Sequence, residues 1–264
     1  MMKYTSVFSA LLIGASVAVT ASAFAPAQAI SITTAPGAGG NPSGQTLYQA
    51  EISKANDIGK TFEIDWYLAT GTYPPNTLTQ PLSATSTWTI VNFTNNALTL
   101  QISLTNTTPT TPNDINARLT SYAFGVNPEA TSIDFSDGSN TDTDAFGEAR
   151  LNPNPTIPSF NQVDIDVCFI AGNNCAGGGG GGLLSGQTDV MNLTVNGNFT
   201  DDKAFLQFFA ARFQTGEGSY VLAGKPGEPV PEPITMLGLG VGTAGLGALK
   251  RKYGNKEAKA KVAV

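Results

Sequence analysis

Between residues 61 and 105 apolar and polar side chains alternate with a period of two. Phe62, Ile64, Trp66 and Leu68 interleave with Glu63, Asp65 and Tyr67, and Leu98, Leu100, Ile102 and Leu104 with Thr99, Gln101, Ser103 and Thr105. Successive side chains of a strand point to opposite faces, so the pattern predicts half-buried strands, one face apolar and one polar. Residues 88–94 add a strand between them, and Asn95-Asn96 suits a tight hairpin because asparagine tolerates positive φ. Further strands are predicted at 119–126, 132–135, 163–170, 190–195 and 220–223. The run 205–213 fits two periods. Phe205, Gln207, Phe209, Ala211 and Phe213 alternate, whereas Phe205, Phe208, Phe209 and Phe213 share a helix face; we read it as a strand. Short strands separated by Gly, Pro and Asn loops predict an all-β domain over residues 46–224. The expected architecture is an antiparallel β-sandwich of jelly-roll or immunoglobulin-like kind.

The two ends follow other patterns. Lys3 precedes an apolar stretch over 7–19, then small residues and Ala27-Gln28-Ala29. That order reads as a signal peptide over 1–29, cleaved after Ala29, with Ala21-Ser22-Ala23 as the second choice. Residues 30–45, rich in Gly, Pro and Ser over 33–44, read as a flexible lead-in. At the other end a Pro/Gly stalk over 225–233 leads into an apolar run at 234–249. Sixteen helical residues reach about 24 Å, short of a hydrocarbon core of roughly 30 Å. Five glycines between 238 and 247 weaken that helix further, which suits a segment that a protease must open. Lys250, Arg251 and Lys252 then hold the basic tail, 253–264 included, in the cytoplasm and leave the body outside. A permanent tail anchor pairing through Gly238 and Gly242 is the rival reading.

Val230, Pro231, Glu232 and Pro233, the short Gly-rich apolar segment and the basic cluster resemble, in that order, the sorting signal of PEP-CTERM proteins over residues 230–252. The resemblance implies export by the general secretion machinery and transient anchoring in the inner membrane. It implies recognition by exosortase, an intramembrane protease and transpeptidase-like enzyme that releases or re-attaches the exported domain. It further implies a place at the cell envelope, at the surface or outside the cell, and an extracellular matrix or biofilm setting. The role it suggests is structural or adhesive, without catalysis.

Charge narrows the partners. Over 30–230 seven basic residues face eighteen acidic ones, a net charge of −11, so the exported body repels nucleic acid and anionic lipid. The chain's two cysteines, Cys168 and Cys175, lie close together, and in an exported setting such a pair reads as one disulfide. Six glycines, 177–182, follow. Without side chains they can approach a backbone closely, bind an anion through their amides, or form a mobile loop pinned at its base; we read the last. The Cys and poly-Gly stretch also resembles that of a PEP-CTERM subgroup called the cistern family, which implies no activity of its own.

Catalysis finds little support. The chain contains no histidine, which removes Ser-His-Asp and Cys-His arrangements and most catalytic zinc sites. Asp164 and Asp166 share a strand face on the predicted pattern, whereas glycosidase carboxylates flank a scissile bond. No cofactor is implied, with calcium as the one candidate. Asp137, Asn140, Asp142, Asp144 and Glu148 crowd one loop, although their spacing departs from the EF-hand. Extracellular polysaccharide is the other candidate ligand. Trp66 and Trp88 keep phase with aliphatic neighbours and read as core, while Tyr67 and Tyr73 are better placed to meet a sugar.

Overall fold

Alternation along each strand becomes an inside and an outside once strands pair. The computed structural model describes residues 30–36, 45–71, 78–138, 143–160 and 162–227. The expected signal peptide with Ala27 and Ala29, lead-in residues 37–44, and the sorting segment and tail all lie outside these residues. Among the described residues the order is β1 (Ser31–Thr34), β2 (Tyr48–Ser53), β3 (Thr61–Leu68), β4 (Leu82–Phe93), β5 (Ala97–Asn106), β6 (Arg118–Asn127) and β7 (Ala130–Asp137). There follow β8 (Glu148–Leu151), β9 (Val167–Ile170), β10 (Leu183–Leu184), β11 (Thr188–Gly197), β12 (Lys203–Thr215), β13 (Gly218–Ala223) and β14 (Lys225–Pro226).

The strands form two antiparallel sheets. One runs β1-β2-β12-β6-β9-β8, with β10 on β6 and β13 on β12; the other runs β14-β3-β4-β5-β11-β7. The described residues therefore form an all-β sandwich, as the alternation predicts. The β4–β5 hairpin turns at Asn95-Asn96, where the Thr94 N–H donates to the Ala97 carbonyl at 2.8 Å. Its strands pair from Ala84↔Asn106 to Phe93↔Leu98.

The interior between the sheets is aromatic. Trp88 stacks on Phe62 at 5.5 Å and meets Phe124 and Phe209 edge-on at 5.0 and 5.3 Å. Tyr122 stacks on Phe169 at 4.7 Å. A second, smaller core lies on the outer face of the first sheet, where Ile157, Phe160 and Ile165 cover Ala123, Cys168 and Ala210. This cover explains why β6 is buried on both faces.

Several expectations change. Ser31–Thr34, assigned to the lead-in, pairs with β2 as an edge strand, and Lys225–Pro226, assigned to the stalk, pairs with β3. The strand expected over 163–170 begins only at Val167, because the Asp166 side chain takes the Val126 N–H before the β6–β9 ladder starts. Run 205–213 is strand, but its register shifts between Gln207 and Ala210, with Phe208 at φ +58°. Ala204 and Leu206 face the main core before the shift; Phe209, Ala211 and Phe213 face it afterwards. Phe208 turns outward into the smaller core. One bulge thus produces both the alternating and the helix-like spacing of the phenylalanines.

Candidate functional site

The outer face of the first sheet carries the chemistry that the core leaves over. Cys168 on β9 is joined to Cys175 by a disulfide, closing the turn that leaves the strand end. Asn173 donates its N–H to the Gly178 carbonyl at 3.0 Å, and Gly177 donates to the Asn174 carbonyl at 2.8 Å. The Ser121 hydroxyl fastens the turn to β6 by donating to the Cys175 carbonyl at 2.8 Å. The glycine run then doubles back along the sheet. A Cβ at Gly181 would overlap the Ala171 carbonyl oxygen, and one at Gly172 would overlap that of Gly178. Of the three options open in the sequence, close backbone approach is the one realised, in place of a loop pinned only at its base.

Two arginines flank this loop. Arg118 donates from Nη1 to the Gly180 carbonyl. Arg212 lies against Gly177, where a Cβ would overlap its Nη1, and its buried Nε has no hydrogen-bond partner. Burial lowers the Arg212 pKa from its ordinary value. On its open side lies a pocket of about 420 Å³, whose wall includes Leu68, Pro158, Ser159, Ser219 and Tyr220. Glu217 also lines it, and its carboxylate accepts from the Thr79 N–H at 2.9 Å and the Thr79 hydroxyl at 2.8 Å. None of these pocket residues is legible as a site in the sequence. The one signal is Arg212 itself, a charge inside the otherwise apolar run 208–213.

The remaining candidates separate in space. Asp166 is fully buried and Asp164 exposed, so the two do not share a solvent face. Burial first, and the nearby Asp164 and Glu129 carboxylates, raise Asp166 to about 6, against the lowering pull of the Val126 N–H. Of the calcium candidates, Asp137 closes β7 and Asp144 follows in the next loop, while Asn140 and Asp142 lie outside the described residues. Among the described residues no group of three acidic, His or Cys side chains is placed to hold a metal. Asp189, which sequence reasoning missed, organises that loop by accepting the Ala145 and Phe146 N–H groups, both at 2.8 Å. Trp66 and Trp88 are buried in the core. Tyr67 is 55% exposed with the Lys225 ammonium 5.9 Å from its ring, and Tyr73 lies outside the described residues.

The second sheet presents a different surface. Its central strands β4, β5 and β11 turn Ser, Thr, Asn, Gln and a few apolar side chains outward, and no charge. Cross-strand pairs link Thr99 to Thr194 at 3.2 Å, Gln101 to Asn192 at 3.3 Å and Thr105 to Thr188 at 2.8 Å.

Fold and cysteine pairing define a disulfide-bearing all-β domain followed in sequence by a short apolar segment and a basic cluster. Residues 229–252 match the family model of the PEP-CTERM protein-sorting motif. The chain therefore carries that motif and is an exported protein processed by exosortase, sorted to the cell envelope or surface. Among curated proteins, none matches the chain. No helix among the described residues is long and apolar enough to cross a membrane, and segment 234–249 lies outside them.

Proposed function

We propose that this protein is a non-catalytic component of the cell surface or extracellular matrix, associated with exopolysaccharide, whose β-sandwich is exported and then processed at its sorting signal. The motif at 229–252 carries the reading, because it puts the preceding domain outside the membrane. Support comes from a chain without histidine and from a body whose net negative charge disfavours nucleic acid and anionic lipid. The Cys and glycine stretch at 168–182 supports the cistern subgroup as a name. The test is extraction of native matrix with and without polysaccharide-hydrolase treatment. The protein is expected in the matrix pellet and to be released by the hydrolase; recovery wholly as free protein in the medium contradicts the role.

A second reading, a module that binds neutral polysaccharide directly, is favoured by the uncharged outer face of β4, β5 and β11. Hydroxyl and amide groups in cross-strand register offer hydrogen bonds to sugar hydroxyls without selecting for charge. Retardation of the protein in neutral polysaccharide gels, abolished by Q101E with N192D, is the expected outcome. Equal mobility with and without polysaccharide removes this reading.

A further inference from the structure

Arg212 lies on the outer face of the first sheet, between core-facing Ala211 and Phe213, and has no ion-pair partner among the described residues. It interrupts an apolar run and is partly desolvated against the glycine loop, and its side chain makes no hydrogen bond among the described residues, with Nε buried and unsatisfied. Arg118, on the other side of the same loop, donates to the Gly180 carbonyl. A desolvated guanidinium without a partner is costly, and an arriving carboxylate offsets that cost through a geometry matched to its oxygens. We propose that the pocket beside Arg212 is a binding site for a hydroxylated monocarboxylate of sugar size, a uronic acid residue.

Three observations narrow the ligand to that class. The pocket, at about 420 Å³, lies at the small end of ligand sites and suits a single ring. The hydroxyls of Ser159, Ser219 and Tyr220 border it and make no hydrogen bond among the described residues, which leaves them for ring hydroxyls. The apolar walls from Leu68 and Pro158 and the ring of Tyr220 suit the C–H faces of a sugar. Glu217 supplies the discrimination. It lines the same space with its carboxylate held on Thr79, a negative charge beside the site that disfavours a dianionic phosphate relative to a monocarboxylate. The site is built mainly on β12 and β13 of the first sheet, with Leu68 of β3 contributed by the second. The inference does not rest on the matrix reading, since a free sugar acid tests it wherever the chain resides.

The test is isothermal titration of the full chain with D-glucuronate, D-glucose, acetate and inorganic phosphate as separate probes. Glucuronate is expected to bind saturably, glucose to bind at least about thirtyfold more weakly, the scale of losing one partner of a desolvated charge pair, and acetate and phosphate to bind more weakly than glucuronate for want of the ring hydroxyls. R212Q is expected to lose glucuronate binding by the same factor while melting at or above the parent temperature, because it removes an unpaired charge. R118Q is expected to bind as the parent does. S219W, which fills the pocket with Arg212 intact, is expected to lose binding and covers the case in which R212Q fails to fold. Absence of saturation by glucuronate, equal binding of glucose, acetate or phosphate, or unchanged binding in R212Q or S219W overturns the proposal.

Discussion

Trp88 holds the centre of the sandwich by contact and by one hydrogen bond. Its indole N–H donates to the Ser86 hydroxyl at 2.8 Å, which donates in turn to the Ile64 carbonyl at 3.2 Å, so the polar edge of the ring is satisfied inside the core. W88A is expected to cost about 3–5 kcal/mol in denaturant unfolding, the range for emptying an aromatic site. S86A strands the indole N–H and is expected to cost about 1–3 kcal/mol. Asp166 is the opposite case, a buried carboxyl with one oxygen on the Val126 N–H and the other, Oδ1, without a partner. Its pKa is raised from 3.8 to about 6, so between these values the folded chain binds more protons than the unfolded chain. The stability it contributes is complete below about pH 3.8 and is lost as pH rises through about 6. D166N is expected to raise the melting temperature at pH 8 and to flatten the pH dependence between pH 4 and 6; an unchanged slope contradicts this account. Trp88 was legible because its phase with Ile90 declares a buried face. Asp166 was not, because it sits just before β9 and is buried by docking on Phe124 and Val126 of β6, and no local pattern encodes which strand a loop residue meets.

At the scale of elements, the glycine loop was visible as composition and its role was not. Six glycines in a row are compatible with disorder, anion binding or close packing, and only the path of the neighbouring turn decides. G181A is expected to cost about 2 kcal/mol through overlap with the Ala171 carbonyl, whereas Gly180 has open space around it and G180A is expected to be silent. Equal effects of the two substitutions in thermal melts contradict the packed-loop description. Joining Cys168 to Cys175 closes a short loop, and the chain-entropy relation gives about 2.5 kcal/mol for it, so paired Cys→Ala substitution is expected to lower unfolding free energy by that order. Strands with long alternating runs, β3 and β5 above all, were readable from their own residues. β1, β8, β10 and β14, at two to four residues each, were not, because they exist through their partners. The bulge at Phe208 was half legible, as two competing periods in one run.

At the scale of the molecule, two programmes are written into one chain by different means. The sandwich is encoded diffusely, in alternation spread over 180 or so residues, and any one strand can be misjudged without losing the class of fold. The sorting signal is encoded compactly, in Val230-Pro231-Glu232-Pro233, a thin apolar segment and Lys250-Arg251-Lys252, and it is read from the chain itself. The Arg212 pocket belongs to neither kind of code. It arises where β12, β13 and the segment around Pro158 meet, and no stretch of sequence brings those residues together. Export and processing form the central claim, and the most direct test is intact mass with C-terminal peptide mapping of the protein recovered from native envelope and medium fractions. The mature chain is expected to begin near Ile30 and end close to Pro231-Glu232-Pro233. A chain that retains Lys250, Arg251 and Lys252 in the membrane fraction contradicts the claim and makes the tail a permanent anchor.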